Sequence, residues 1–270
     1  MNSEKTKYLT IFKEYVCILE EKIEQDKNIL ICNIYTNNKN SENIENIKKI
    51  EQDLRHYLDL ETDYDNIFKK LKQNPKFKQA VEYGKGIRIL NQELLEMIIS
   101  YIISANNNIN NIKRSVNIIS QKCGEKIEFE YNGEKYTKYL FPSLEKLKKL
   151  TIEDMKDAKT GFRANRLIDT ISKLNLEYLE KLKTLTDQEL LEELTKFNGI
   201  GPKVANCIML FGMHRIESFP IDVWVRRVMS EIFFNGIEQS DKKILEVVKD
   251  IPQKGIAQQC LFYWRKNETK

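Results

Sequence analysis

Phe197-Asn198-Gly199-Ile200-Gly201-Pro202-Lys203-Val204-Ala205-Asn206-Cys207, followed after a short interval by Phe219-Pro220-Ile221-Asp222-Val223, is the stretch that decides the fold. Upstream of it, residues 186–196 predict a helix with Leu190, Leu191 and Leu194 on one face and Asp187 at its start. Gly199 and Gly201 predict a tight hairpin that tolerates positive φ, and Pro202 suits the first turn of the next helix. Helices joined by such a hairpin present backbone N–H groups that meet a phosphate without reading base sequence. The segment therefore points to DNA. It also sets a lone amine, Lys203, and a lone carboxylate, Asp222, 19 positions apart at the starts of two successive helices.

Bulk composition narrows the chemistry. With 44 basic against 40 acidic residues the net charge is only +4, so any basic surface must arise from folding and not from a tail. Five scattered cysteines (Cys17, Cys32, Cys123, Cys207, Cys260), with no CxxC pair and no four-cysteine cluster in the C-terminal part, argue for reduced thiols and against an iron–sulfur centre. His56 and His214 are the only histidines, which argues against a histidine metal site or a Ser-His-Asp triad. The chemistry is left to lysine and carboxylate, or to a ligand's own reactivity, with no cofactor and no metal expected. Neither a signal peptide nor an apolar run of membrane-spanning length is legible, which predicts a cytoplasmic protein, nucleoid-associated when it acts on DNA.

Along the chain, residues 29–35 alternate as a strand, with residues 15–19 as its neighbour. An Asn/Lys/Ser-rich connection follows, then a helix carrying Ile44, Ile47, Ile50 and Leu54. From Ile87 the pattern is helical over 93–104, 109–119, 143–150, 165–174, 187–197, 202–213, 223–234 and 241–248. One hairpin interrupts it, residues 127–131 and 134–139 around Asn132-Gly133, a type I′ turn signal. The expected fold is α+β and mostly α. A small antiparallel-β-containing domain over 1–86 precedes a helical body over 87–270, with the helix–hairpin–helix at about 187–213.

A buried lysine at the positive end of a helix has a lowered pKa and can act as a nucleophile. Attack at a sugar carbon expels a base and leaves a Schiff base. A carboxylate at position 222 could stabilise a cationic sugar transition state or deprotonate the lysine. Taken singly, a lysine early in a helix is more often solvated and an aspartate before a helix more often only a cap. Hairpin, lysine and aspartate in combination shift that balance.

With these residues in hand, the chain resembles the helix–hairpin–helix DNA glycosylases, and among them the eukaryotic-type 8-oxoguanine DNA glycosylase/AP lyases, including a clostridial-like bacterial branch. Besides the hairpin–lysine–aspartate core, the likeness is carried by Tyr83-Gly84-Lys85-Gly86-Ile87-Arg88-Ile89-Leu90, by Ile102-Ile103-Ser104-Ala105-Asn106-Asn107-Asn108-Ile109, by Phe141-Pro142-Ser143-Leu144, by Gly161-Phe162-Arg163-Ala164 and by Gly255-Ile256-Ala257-Gln258-Gln259-Cys260-Leu261-Phe262. The resemblance implies excision of 8-oxoguanine from duplex DNA with Lys203 as nucleophile and Asp222 as its acidic partner, followed by strand cleavage through β-elimination. It implies a base pocket with Cys207 on one side, Gln258 on the Watson–Crick edge and Phe262 as the opposite stacking face, as a flipped base requires. It further implies that Asn106 fills the gap in the duplex, that Arg163 touches the orphan cytosine and that Phe162 is the wedge. The partner implied is double-stranded DNA containing an oxidised guanine or an abasic site, met by a monomer.

The pattern departs from the family at two places. The second orphan-base arginine is Asn111 here, and the Gly-Gln-x-Phe-Arg-Trp segment that senses 8-oxoguanine in the family is not found, so the N-terminal domain reads as shortened. An AP lyase or glycosylase of another lesion preference is therefore the alternative within the class, and a non-catalytic DNA-binding module the alternative outside it. A pure binder needs only the hairpin.

Overall fold

The computed structural model describes residues 7–24, 27–38 and 43–268. Among them, three antiparallel strands, β1 (Lys7–Phe12), β2 (Tyr15–Glu24) and β3 (Lys27–Tyr35), form a sheet in chain order. Leu19 faces Cys32 and Val16 faces Tyr35 in the register. The helix α1 (Ile44–Tyr57) follows, and part of the polar connection before it lies outside the described residues. Hairpin strands β4 (Lys126–Tyr131) and β5 (Glu134–Tyr139) flank Asn132 and Gly133, whose φ angles of 53° and 80° fit the expected type I′ turn. Val16, Ile18, Ile127, Phe129 and Leu140 are buried in one small core. The hairpin, an interruption of the helical run in sequence, thus shares its interior with the first sheet.

The remaining helices are α2 (Tyr64–Leu71), α3 (Pro75–Tyr83), α4 (Leu94–Ser104), α5 (Ile109–Cys123), α6 (Leu144–Leu147), α7 (Ile152–Asp157), α8 (Ala164–Lys173), α9 (Leu176–Thr184), α10 (Asp187–Thr195), α11 (Pro202–Gly212), α12 (Val223–Phe234), α13 (Asp241–Val248) and α14 (Lys254–Glu268). The expectation of one helix over 143–150 fails: α6 stops after one turn because Thr151 caps a new helix, in a capping box with Asp154. Thr186, not Asp187, caps α10, again with a capping box, here to Glu189.

The chain divides into two compact units, each discontinuous in sequence. One holds residues 1–52 and 106–173, the other residues 53–105 and 174–270. The second unit is built on a core of Phe68, Phe77, Leu210, Phe219, Val225, Met229, Ile256 and Leu261, drawn from α2, α3, α11, α12, α14 and the link before α12. Helix α4 packs closely on α11, since a Cβ added at Gly212 would lie 2.9 Å from Met97 Cβ. Asp59 is the polar anchor of this unit: it is buried and accepts from Thr62 Oγ1 and Tyr64 OH, both at 2.7 Å, and lies 2.9 Å from His214 Nε2. Tyr64 in turn accepts the N–H of Ile89 at 2.7 Å.

Candidate active site

Phe197, Ile200, Leu190 and Leu194 are buried, so the apolar side of α10 and of the hairpin faces inward while Gly199 and Gly201 stay at the surface. Gly199 has φ 91°, a conformation that L side chains rarely adopt. Gly201 does not share it: φ −90° and ψ 178° are extended, which corrects the expectation that both glycines serve a positive φ. What Gly201 supplies is openness, because a Cβ there would meet nothing within 4 Å. Helix α11 starts on it with no side chain capping its first turn, whereas α10 and α12 on either side are each capped by a side chain. Uncapped N–H groups at the positive end of a helix, beside an open backbone, suit a phosphate.

Lys203, the second residue of α11, is exposed. The burial on which the nucleophile argument was conditioned is therefore absent from the protein alone. Asp222 caps α12, its Oδ1 accepting the N–H of Val225 at 2.8 Å. Its other oxygen makes no hydrogen bond among the described residues. The capping reading of Asp222 holds: one oxygen is the cap, which leaves the second held in a fixed direction.

Cys207, one turn beyond Lys203, is only 6% exposed. Burial pushes its thiol up to about 11; the ammonium of Lys203 pulls the other way and the Asp222 carboxylate adds to the rise. The thiol is thus neutral near pH 7, and it feels both charges, which places Lys203 and Asp222 each within electrostatic reach of it. Lys203 and Asp222 form no ion pair within 4.0 Å among the described residues.

Gln258, on α14, is 4% exposed. Its Oε1 accepts from Gln259 Nε2 at 2.6 Å, while its own Nε2 has no partner among the described residues. Phe262, four residues on, is half-buried. Neither makes a hydrogen bond or ring contact with Lys203, Cys207 or Asp222 among the described residues.

In the other unit, Asn106 sits at φ 51°, in the left-handed region that Asn tolerates better than most residues. Arg163 is 6% exposed and donates from Nη2 to Asn106 O at 2.8 Å and from Nη1 to Thr160 O at 3.2 Å. Phe162, in the 3₁₀ turn Gly161–Arg163, is 59% exposed. The predicted wedge therefore stands at the surface, with Arg163 bracing the strained Asn106 beneath it.

Two residues of the first group escaped the sequence reading. Asn206 donates from Nδ2 to Pro202 O at 2.9 Å and accepts the N–H of Phe219 at 3.2 Å, tying the segment that carries Asp222 to the helix that carries Lys203. Tyr101 on α4 has its phenol raised, first by burial and then by the charge of the Cys207 thiol, and its ring stacks on Phe211 with centroids 6.0 Å apart. No sequence signal marks either, because each depends on what the tertiary fold sets opposite it.

Residues 1–98 match the family described as 8-oxoguanine DNA glycosylase, N-terminal domain, and residues 99–253 the family described as HhH-GPD superfamily base excision DNA repair protein. The N-glycosylase/DNA lyase OGG1 of Arabidopsis thaliana is 31% identical over 166 residues, 58% of this chain and 44% of that protein. The N-glycosylase/DNA lyase of Saccharomyces cerevisiae is 36% identical over 157 residues, 53% of this chain and 41% of that protein. The matched segments thus span less than half the length of these two relatives. Among solved structures, the 8-oxoguanine glycosylase/lyase of Clostridium acetobutylicum, in complex with double-stranded DNA containing cytosine opposite 8-oxoG, superposes with a TM-score of 0.74 at 34% identity. That match covers 98% of this chain and 99% of the clostridial one.

Proposed function

The chain belongs to the HhH-GPD superfamily of base excision DNA repair proteins, and on that premise we propose that it excises 8-oxoguanine from duplex DNA and cleaves the resulting strand. What supports the reading is that the buried, neutral thiol of Cys207 feels the charges of both Lys203 and Asp222, beside an uncapped helix start and an open glycine. Phosphates meet the hairpin N–H groups; the lesion, turned out of the stack, occupies a pocket bordered by Cys207, Gln258 and Phe262. Lys203 Nζ, as the free amine, attacks C1′ while the C1′–N9 bond breaks and the base leaves with the bonding pair. The carboxylate of Asp222 faces the cationic sugar that develops and takes up the proton the amine must lose. Ring opening gives a Schiff base, loss of a C2′ proton follows, and the C3′–O bond breaks with the phosphate as leaving group. Asn106, with Phe162 as wedge and Arg163 as brace and orphan-base contact, serves the opposite strand. The protein acts as a monomer in the cytoplasm, at the nucleoid. No described helix is long and apolar enough to cross a membrane.

Borohydride trapping on a duplex with one 8-oxoguanine opposite cytosine tests this. A covalent protein–DNA band that Lys203→Gln abolishes supports the lysine mechanism. A band on an abasic duplex alone would transfer the reading to an AP lyase of different lesion preference. No band on either, with duplex binding retained, would leave a DNA-holding module.

A further inference from the structure

Arg166, on the first turn of α8, has no role in the scheme above. Its guanidinium carbon lies 5.2 Å from the centroid of the Phe162 ring, and that of Arg163 lies 4.3 Å from it, so two cations flank one exposed ring. They differ in what holds them. Arg163 is buried and committed to the carbonyls of Asn106 and Thr160. Arg166 is half-buried and makes neither a hydrogen bond nor an ion pair among the described residues. Asp169, one turn along the same helix and the natural counter-ion, is taken by Lys173 at 2.8 Å. The guanidinium of Arg163 has a lowered pKa, chiefly from burial and secondarily from the charge of Arg166. Arg166 thus stands beside an exposed aromatic side chain and a like charge, with no anion of its own among the described residues, and an external one relieves it. A ligand that offers a stacking face and an anion within a few ångströms of each other is a nucleic acid: the base for the ring, the phosphodiester for the cation.

We propose that Arg166 is a phosphodiester ligand beside the Phe162 wedge, holding the DNA backbone while Arg163 braces Asn106. The assignment rests on the duplex-DNA reading. It adds an electrostatic contact, not a base contact, so it predicts salt dependence and not sequence or opposite-base preference.

The test is equilibrium binding to a short duplex carrying a tetrahydrofuran abasic analogue, measured across salt concentrations for the full chain, Arg166→Gln and Arg166→Lys. Losing one phosphate contact lowers the slope of log K against log[salt] by about 0.9 and weakens binding several-fold near physiological salt. R166Q keeps the aliphatic stem over the ring, and R166K restores the slope because the charge returns. The ratio of affinities for duplexes with C, A, G or T opposite the analogue stays as in the parent. An unchanged slope in R166Q overturns the assignment alone, as does a shift in opposite-base ratio that R166K fails to rescue, which would mean base readout. Failure of the parent protein to bind any duplex overturns the DNA reading and this assignment together.

Discussion

Asp222 caps α12 and, in the proposed reaction, stabilises the cationic sugar, and one substitution can separate the two. Its Oδ1 caps α12 through the N–H of Val225 at 2.8 Å, and its charge reaches the site, where it raises the Cys207 thiol. Asparagine caps a helix about as well as aspartate but carries no charge; alanine does neither. Asp222→Ala should therefore lose about 1 kcal/mol of stability, the typical value of a cap. In a chain of this length that is a fall in Tm of about 2–4 °C. Asp222→Asn should stay within a few tenths of a kcal/mol of the parent, because its side-chain oxygen accepts the same N–H. Catalysis should sort differently. If the carboxylate stabilises the cationic sugar, both variants lose about 10²–10³ in single-turnover excision of 8-oxoguanine opposite cytosine. The thiol supplies an independent reading of the charge. Asp222 raises the Cys207 pKa, so in D222N, with the other four cysteines replaced, the thiol should alkylate with a midpoint below about 11. D222N as active as the parent, with D222A impaired only in proportion to its lost stability, would refute the reasoning and leave Asp222 a cap and nothing more.

Gly199→Ala should destabilise the protein by about 1–2 kcal/mol, since φ 91° is unfavourable for any L side chain, and denaturant unfolding reads this directly. Gly201→Ala should unfold as the parent does yet bind duplex DNA more weakly, because its Cβ meets open space that a phosphate would need. Glu96 on α4 has its carboxyl pushed up to about 7, first by burial and then by Glu93, so the folded state keeps a proton that the unfolded chain releases near 4.5. Stability from this group is present below pH 4.5 and falls as pH rises towards 7; Glu96→Gln should flatten that fall, and parallel stability–pH curves would count against it. Asn111 is exposed where the resemblance implies a second orphan-base arginine, so excision opposite C, A, G and T should depend less on the opposite base than in eukaryotic-type relatives, and Asn111→Arg should favour cytosine by about 1–3 kcal/mol. A strong cytosine requirement in the parent would contradict this.

What the sequence disclosed and what it hid follow from range. The starts of α11 and α12 were legible because glycine, proline and a capping aspartate act on the next three or four residues, and those residues are adjacent in the chain. The type I′ turn at Asn132 and Gly133 was legible for the same reason. Helices α7 and α9, six and nine residues long, were missing from the periodic reading. Thr151 with Asp154 nonetheless forms a capping box that spacing alone could have flagged. Arg163 shows the opposite limit. Its place next to an exposed aromatic residue was readable, but not that its guanidinium turns inward to the carbonyl of Asn106, 57 positions away in sequence. Tyr101 and Asn206 were illegible on the same principle: the partners that give them meaning come from other parts of the fold.

The contrast between the two helix starts explains why the site takes this form. Both need their first-turn N–H groups satisfied, and a side chain at the N-cap is the usual means. At α12 that means is Asp222, and in the proposed reaction capping serves chemistry as well, since a carboxylate tethered by one oxygen presents the other in a constant direction. At α11 the same solution would work against the proposed phosphate contact: a serine or aspartate at position 201 would occupy the N–H groups and fill the open side. Gly201 leaves both free. The geometry linking the two starts then cannot come from their caps and is supplied elsewhere. Asn206 ties Pro202 to Phe219, and Arg215 donates to the carbonyls of Lys183 and Leu185 and pairs with Asp187 at the start of α10. Lysine and aspartate are thus aligned by two side chains that carry none of the proposed chemistry. Asn206→Ala should accordingly lower kcat more than it loosens binding to the hairpin.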